Sequence, residues 1–184
     1  MKPLYEVNRG EDLIGSHIKQ TYEHVNLWIP GRDTEIGLLV SDSSNQQTIS
    51  IQVKYSQAYL PDLTNRASEL LRQLRVCSWL AIDSEELLTS RADLWVLVLF
   101  GFEGRTYDCV ILRPEELTAR LRAIYNQRKG FRCYFWVTEK GRCWETHDLS
   151  RADRLRIGAG GFRHPQRDFT DRLNDWSPVA ELNY

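Results

Sequence analysis

Residues 94–100, Leu94-Trp95-Val96-Leu97-Val98-Leu99-Phe100, are apolar without interruption. A strand with one face in water alternates apolar and polar side chains. A strand with no polar position must be covered on both faces, as a central strand with a layer on either side. Whatever else this chain forms has to supply those two layers.

The flanking pattern predicts where they come from. EDLIGSHIKQTY (11–22) spaces Leu13, Ile14, Ile18 and Tyr22 for one helical face, with acids in the first turn. VNLWI (25–29) reads as a strand closed by Pro30-Gly31, and TEIGLLVS (34–41) and QTISIQVKYS (47–56) read as strands around a polar turn. ASELLRQLR (67–75) has a helical pattern, TYDCVIL (106–112) a strand pattern, and Pro114 opens a helix over 114–125, acids first and arginines late. FRCYFWV (131–137) is a further strand; the polar remainder has a glycine loop at Gly158, Gly160 and Gly161 and a short amphipathic stretch at 168–176. The order predicts an α/β fold, a mixed central sheet flanked by helices. At 184 residues, one domain over 1–184 is expected, with a core over about 10–140 and a C-terminal extension over about 141–184.

No apolar run approaches the length of a membrane span, and the start MKPLYEVNRGED has no apolar secretory core. Cys77, Cys109, Cys133 and Cys143 match no metal-ligand spacing, nor do His17, His24, His147 and His164, so four thiols in a reducing cytoplasm are expected. The 24 basic and 25 acidic residues nearly cancel, but unevenly. Residues 1–112 hold 10 basic and 15 acidic side chains, net −5, and residues 113–142 hold 8 and 3, net +5. Such a segment suits either a polyanion-facing surface or a solvated helix face.

The chemistry-bearing segment is the hairpin. Period two puts Ile36, Leu38 and Val40 on one face of its first strand, and Ile49, Ile51 and Val53 on one face of its second. Asp33, Glu35 and Gly37, and Ser50, Gln52 and Lys54, then share the other. A turn pairing Asp42 with Asn45 sets Glu35 opposite Gln52 and Asp33 opposite Lys54, at about 5 Å between Cβ atoms. Two carboxylates, an amide and an ammonium on one patch suit Mg²⁺ or Mn²⁺ and phosphodiester hydrolysis. Hard oxygens hold such an ion, which acidifies water and stabilises charge on the phosphate, and a lysine neutralises the developing anion. The same residues also make an ordinary solvent-facing hairpin with a surface ion pair.

Gly31-Arg32-Asp33, a hydrophobic strand, a short hairpin and then Ile51-Gln52-Val53-Lys54 resemble the PD-(D/E)xK nuclease superfamily, the restriction-endonuclease-like fold, in its Q-x-K form. The resemblance covers about residues 10–56, and within the group it is closest to uncharacterised bacterial domains and to Mrr-type and Holliday-junction-resolvase-like nucleases. It implies that Asp33 binds metal, that Gln52 replaces the usual acidic ligand and that Lys54 is the family lysine. Glu11 would be the helix-borne acid, with Glu23 a weaker substitute. A second aspartate common in such relatives is replaced by Gly37, and Glu35 is the residue placed to compensate. The implied function is a cytoplasmic, Mg²⁺-dependent DNA endonuclease with the 113–142 segment on the DNA backbone, and a homodimer is compatible with cutting two strands. A catalytically degenerate module that binds nucleic acid or assembles with other proteins is the alternative, and an interaction domain with no nucleic-acid role a third.

Other signals are weaker. The six tryptophans read as core or rim residues before a base-stacking platform. Gly158-Ala159-Gly160-Gly161 lacks the strand and spacing of a dinucleotide fingerprint. Arg163, His164 and Arg167 are candidate phosphate contacts, followed at once by Asp168 and Asp171.

Overall fold

The computed structural model describes residues 9–31, 35–60, 70–102, 106–126 and 129–183. The fold is mixed α/β. Helix α1 (Arg9–Thr21) leads into a five-stranded sheet of β1 (Val25–Trp28), β2 (Leu38–Asp42), β3 (Thr48–Tyr55), β6 (Leu94–Phe100) and β7 (Tyr107–Leu112), in that spatial order. Neighbours are antiparallel except β3 and β6, which run parallel, so the chain must cross over between them.

All seven residues of β6 are buried. Val96 and Val98 join a core with Ile14 and Ile18 of α1; Trp95, Leu97 and Leu99 join a core on the opposite side with Leu117 and Leu121 of α3 (Pro114–Tyr125). The unbroken apolar run thus has the two layers it requires. The ends of α3 follow from its sequence: Pro114 supplies the fixed φ of a first turn, and Asn126 closes the helix in the left-handed region at φ 49°.

The crossover carries the first two strands of a second sheet that the sequence reading did not foresee. β4 (Gln57–Ala58), β5 (Leu74–Asp83), β8 (Gly130–Thr138) and β9 (Cys143–Glu145) make four antiparallel strands in that order. The expected helix over 67–75 lies outside the described residues over 67–69, and where described it ends early: only Leu70 and Leu71 are helical, and Leu74 and Arg75 already belong to β5. The ladder from Leu74↔Thr138 to Asp83↔Gly130 outweighs the local helical spacing, as tertiary pairing commonly overrides propensity. α2 (Ser84–Thr89) follows directly, its first amides capped by the Asp83 carboxylate.

The chain after residue 141 contributes to all three cores. Phe169 lies between the sheets, while Trp176, Val179 and Leu182 close over the α1 side. Ile157 of α4 (Arg151–Ala159), with Phe162, covers the far face of the second sheet against Trp136 and Trp144. The glycine loop is thus the C-terminal end of α4, with Gly160 at φ 77° as its cap. The amphipathic 168–176 stretch holds a short 3-10 turn, Thr170–Arg172.

The hairpin register is the main correction. Leu38 pairs with Ile51 and Val40 with Ile49, two residues away from the expected alignment. The apolar faces still match because a shift of two preserves side-chain parity. The cause is Asp42, whose carboxylate accepts the amides of Gln46 (2.7 Å) and Gln47 (3.2 Å) while Asn45 turns through φ 57°. The loop therefore closes on Gln47, whose carbonyl takes the Asp42 amide, rather than on Asn45.

Candidate active site

β2 does not reach back to Glu35. The Gly37 amide donates to the Ile51 carbonyl (2.9 Å) although Leu38 is already the partner of Ile51. Two residues are thus set against one, as in a bulge, where the β2–β3 ladder ends. Glu35 sits exposed before the strand, so the expected Glu35–Gln52 pairing is not formed. Asp33, with its expected position opposite Lys54, lies outside the described residues.

Gln52 and Lys54 do share a face of β3, both half-buried, beside Trp95 of β6, whose ring lies 5.6 Å from the Lys54 ammonium. Their partner is Glu86 of α2. Its Oε1 accepts from Lys54 Nζ at 2.5 Å and from Gln52 Nε2 at 3.4 Å. Helix α2 is placed for this by the crossover: β5 delivers it, and Leu87, buried beside Glu86, anchors it in the inter-sheet core. Sequence reasoning missed Glu86. Its only local signal is an acid in the first turn after a capping Asp83, which says nothing of a lysine 32 positions earlier.

Glu11 stands at the start of α1, half-buried. A Cβ on Gly37 would meet its Oε1 at 2.7 Å and its Cγ at 3.1 Å. The helix-borne carboxylate therefore fills the space that any side chain at position 37 would enter. Absence of an acid at Gly37 and presence of one at Glu11 are two sides of one packing arrangement. Glu23, the weaker substitute, is exposed just beyond the end of α1.

These donors are of the right chemistry for a hard divalent ion: the Glu11 carboxylate cradled over Gly37, the Gln52 amide oxygen and the Glu86 carboxylate are all oxygens. Among the described residues no three His, Cys, Asp or Glu side chains form a metal-holding group.

The basic segment is partly consumed inside the molecule. Arg120 pairs with Glu116 (2.9 Å) and donates to the Asp168 carbonyl, and Arg142 pairs with Asp168 (3.2 Å). Arg167 is buried against Glu145 (2.7 Å), and Arg163 folds back on the carbonyls of Gly160 and Phe162. Trp95, Trp136 and Trp144 are core, whereas Trp28 is 53% exposed. All four cysteines are free and buried. No helix among the described residues is long and apolar enough to cross a membrane. Comparison with protein-family models, curated proteins and solved structures finds no match.

Proposed function

We propose that the chain is a metal-dependent nuclease that hydrolyses phosphodiester bonds, with DNA as its substrate. The observation that carries the reading is the meeting of Gln52 and Lys54 on β3 beside the point where the β2–β3 ladder ends, with the Glu11 carboxylate lying over Gly37. Bulges occur preferentially beside active sites because they re-aim the chain and open a sheet locally. The N-terminal helix, the hairpin and the later parallel crossover to β6 support the resemblance to the restriction-endonuclease-like fold.

In this reading Glu11, Gln52 and Asp33 hold Mg²⁺ or Mn²⁺, which supplies Lewis-acid stabilisation of the phosphate. Lys54 faces the scissile phosphate with a charge-assisted hydrogen bond to its oxygens. Glu86 keeps that ammonium in place before substrate arrives and competes with phosphate for it. Glu35 is left outside the ligand set.

The test is cleavage of supercoiled and linear DNA with Mg²⁺ or Mn²⁺ by the purified chain. Activity abolished by Lys54→Ala and Asp33→Ala supports the proposal; activity indifferent to both overturns it. The Lys54–Glu86 pair favours one other reading, a degenerate module whose lysine is held internally. Salt-dependent DNA binding with no saturable Mn²⁺ uptake in calorimetry is its signature.

A further inference from the structure

On the other side of α2 from Glu86, a cleft of about 290 Å³ opens between α2, α3 and β8. Its lining divides by chemistry. Leu87, Leu88 and Phe131 make an apolar wall, and Leu88 is 53% exposed although leucine gains most from burial. Arg122 and Lys129 supply two cations, and no carboxylate among the described residues lines the cleft. Neither cation has an ion-pair partner among the described residues, unlike Arg120 and Arg142 nearby in sequence.

Two hydroxyls complete the lining. Ser84 Oγ donates to the Lys129 carbonyl at 2.6 Å and Thr118 Oγ1 to the Pro114 carbonyl at 2.7 Å. Each hydroxyl proton is thus committed, and each oxygen is left to accept from a ligand N–H. The Ser84 bonds also pin the Lys129 backbone at the rim, since its carbonyl takes the Ser84 amide as well.

We infer that this cleft binds a small anion carrying a flat apolar ring with N–H donors, of the class of a nucleoside 5′-monophosphate. The ring lies against Leu87, Leu88 and Phe131, its amino group meets the hydroxyl oxygens, and the phosphate is held between Arg122 and Lys129. The volume, at the lower end of the roughly 300–1,000 Å³ of small-molecule sites, fits one nucleotide rather than a duplex. The site stands apart from Lys54 and does not rest on the nuclease reading.

Isothermal titration of the full chain with 5′-AMP tests it, with adenosine and inorganic phosphate as separate arms. Saturable binding of 5′-AMP is expected, at least about tenfold tighter than either fragment, because ring and phosphate are both engaged. Arg122→Ala and Lys129→Ala should each weaken it about tenfold or more, the scale of a charged hydrogen bond. Leu88→Asp should do likewise, and Lys54→Ala should leave it unchanged. These positions other than Lys54 are exposed, so the variants are expected to fold. No saturation by about 10 mM 5′-AMP overturns the inference, as does equal binding by the Arg122→Ala/Lys129→Ala double variant or phosphate binding as tightly as the nucleotide.

Discussion

Two cation–carboxylate pairs in this molecule have nearly the same length and opposite surroundings. Arg167 and Glu145 meet at 2.7 Å with the Glu145 side chain fully buried. Glu145 Oε1 also accepts from Tyr125 Oη (2.7 Å) and the His147 amide (3.0 Å), and Arg167 also donates to the His147 carbonyl. Lys54 and Glu86 meet at 2.5 Å with 26% and 29% of their side chains exposed; Gln52 donates to the same Glu86 oxygen, and the Trp95 ring lies 5.6 Å from the ammonium. Buried charge demands that its hydrogen-bonding groups be used, and around the Glu145 carboxylate they are, both oxygens accepting. Around Lys54 they are not: an ammonium has three donors, and one is engaged. The first pair, its carboxylate saturated, holds β9 to the C-terminal segment; the second leaves ammonium donors unused. Bond length separates the two pairs far less well than the burial of the carboxylate and the number of its partners do.

The largest effect expected of the closed half concerns its thiols. Burial pushes all four cysteine pKa values up, that of Cys109 to about 12 from an ordinary 9.0. Native protein at pH 8 should therefore react with a thiol reagent about a thousandfold more slowly than the urea-unfolded chain, read from the rate of chromophore release. The linkage has a fixed sign. The folded state holds these protons more tightly, so the stabilisation is full below pH 9.0 and is lost as pH rises towards 12. Urea midpoints that do not fall over that range would break the contrast.

Glu145→Ala comes next, since it strands Arg167 in the interior and should cost about 3–5 kcal/mol in denaturant unfolding. Lys54→Ala should leave stability within about 1 kcal/mol and lower DNA cleavage about 100-fold or more, measured by initial rates. Gly37→Ala should displace the Glu11 carboxylate and lower cleavage about tenfold, because the clashing atom is a flexible side-chain end whose loss moves the site and spares the fold. Gly37→Asp combined with Glu11→Ala should recover part of what Glu11→Ala alone loses. Smallest is Glu86→Gln, worth less than about 1 kcal/mol of stability by thermal unfolding. A loss as large as that of Glu145→Ala would show that the two pairs are the same kind of object.

Much of the sheet was legible because its signals are periodic and local. The apolar run of β6, the proline opening α3 and the alternation of β3 each state their role within a few residues. The register of β2 was not legible in the same way. It turns on one carboxylate, Asp42, choosing the amides of Gln46 and Gln47, a choice between turns that hydropathy does not encode. β5 was obscured because Leu70, Leu71 and Leu74 are spaced like a helix, and the strand partner that overrides them lies in β8. Glu86 was hidden for the same reason, since its approach to Lys54 depends on where β5 delivers α2. Gln52 and Lys54 were readable as a pair on one face; the third member of their cluster was a matter of tertiary placement.

The crossover has a consequence for how this chain is made. β5 emerges from synthesis well before β8, and between the two come α2, β6, β7 and α3, of which β6 and β7 belong to the other sheet. Until β8 arrives, β5 has only the two-residue β4 as a strand partner, and its long edge is unpaired. Pairings between distant segments form slowly, and a waiting apolar strand is open to the wrong neighbour. Chains of this design should depend on temperature and concentration for their yield more than on final stability, with the interval between β5 and β8 as the period of risk.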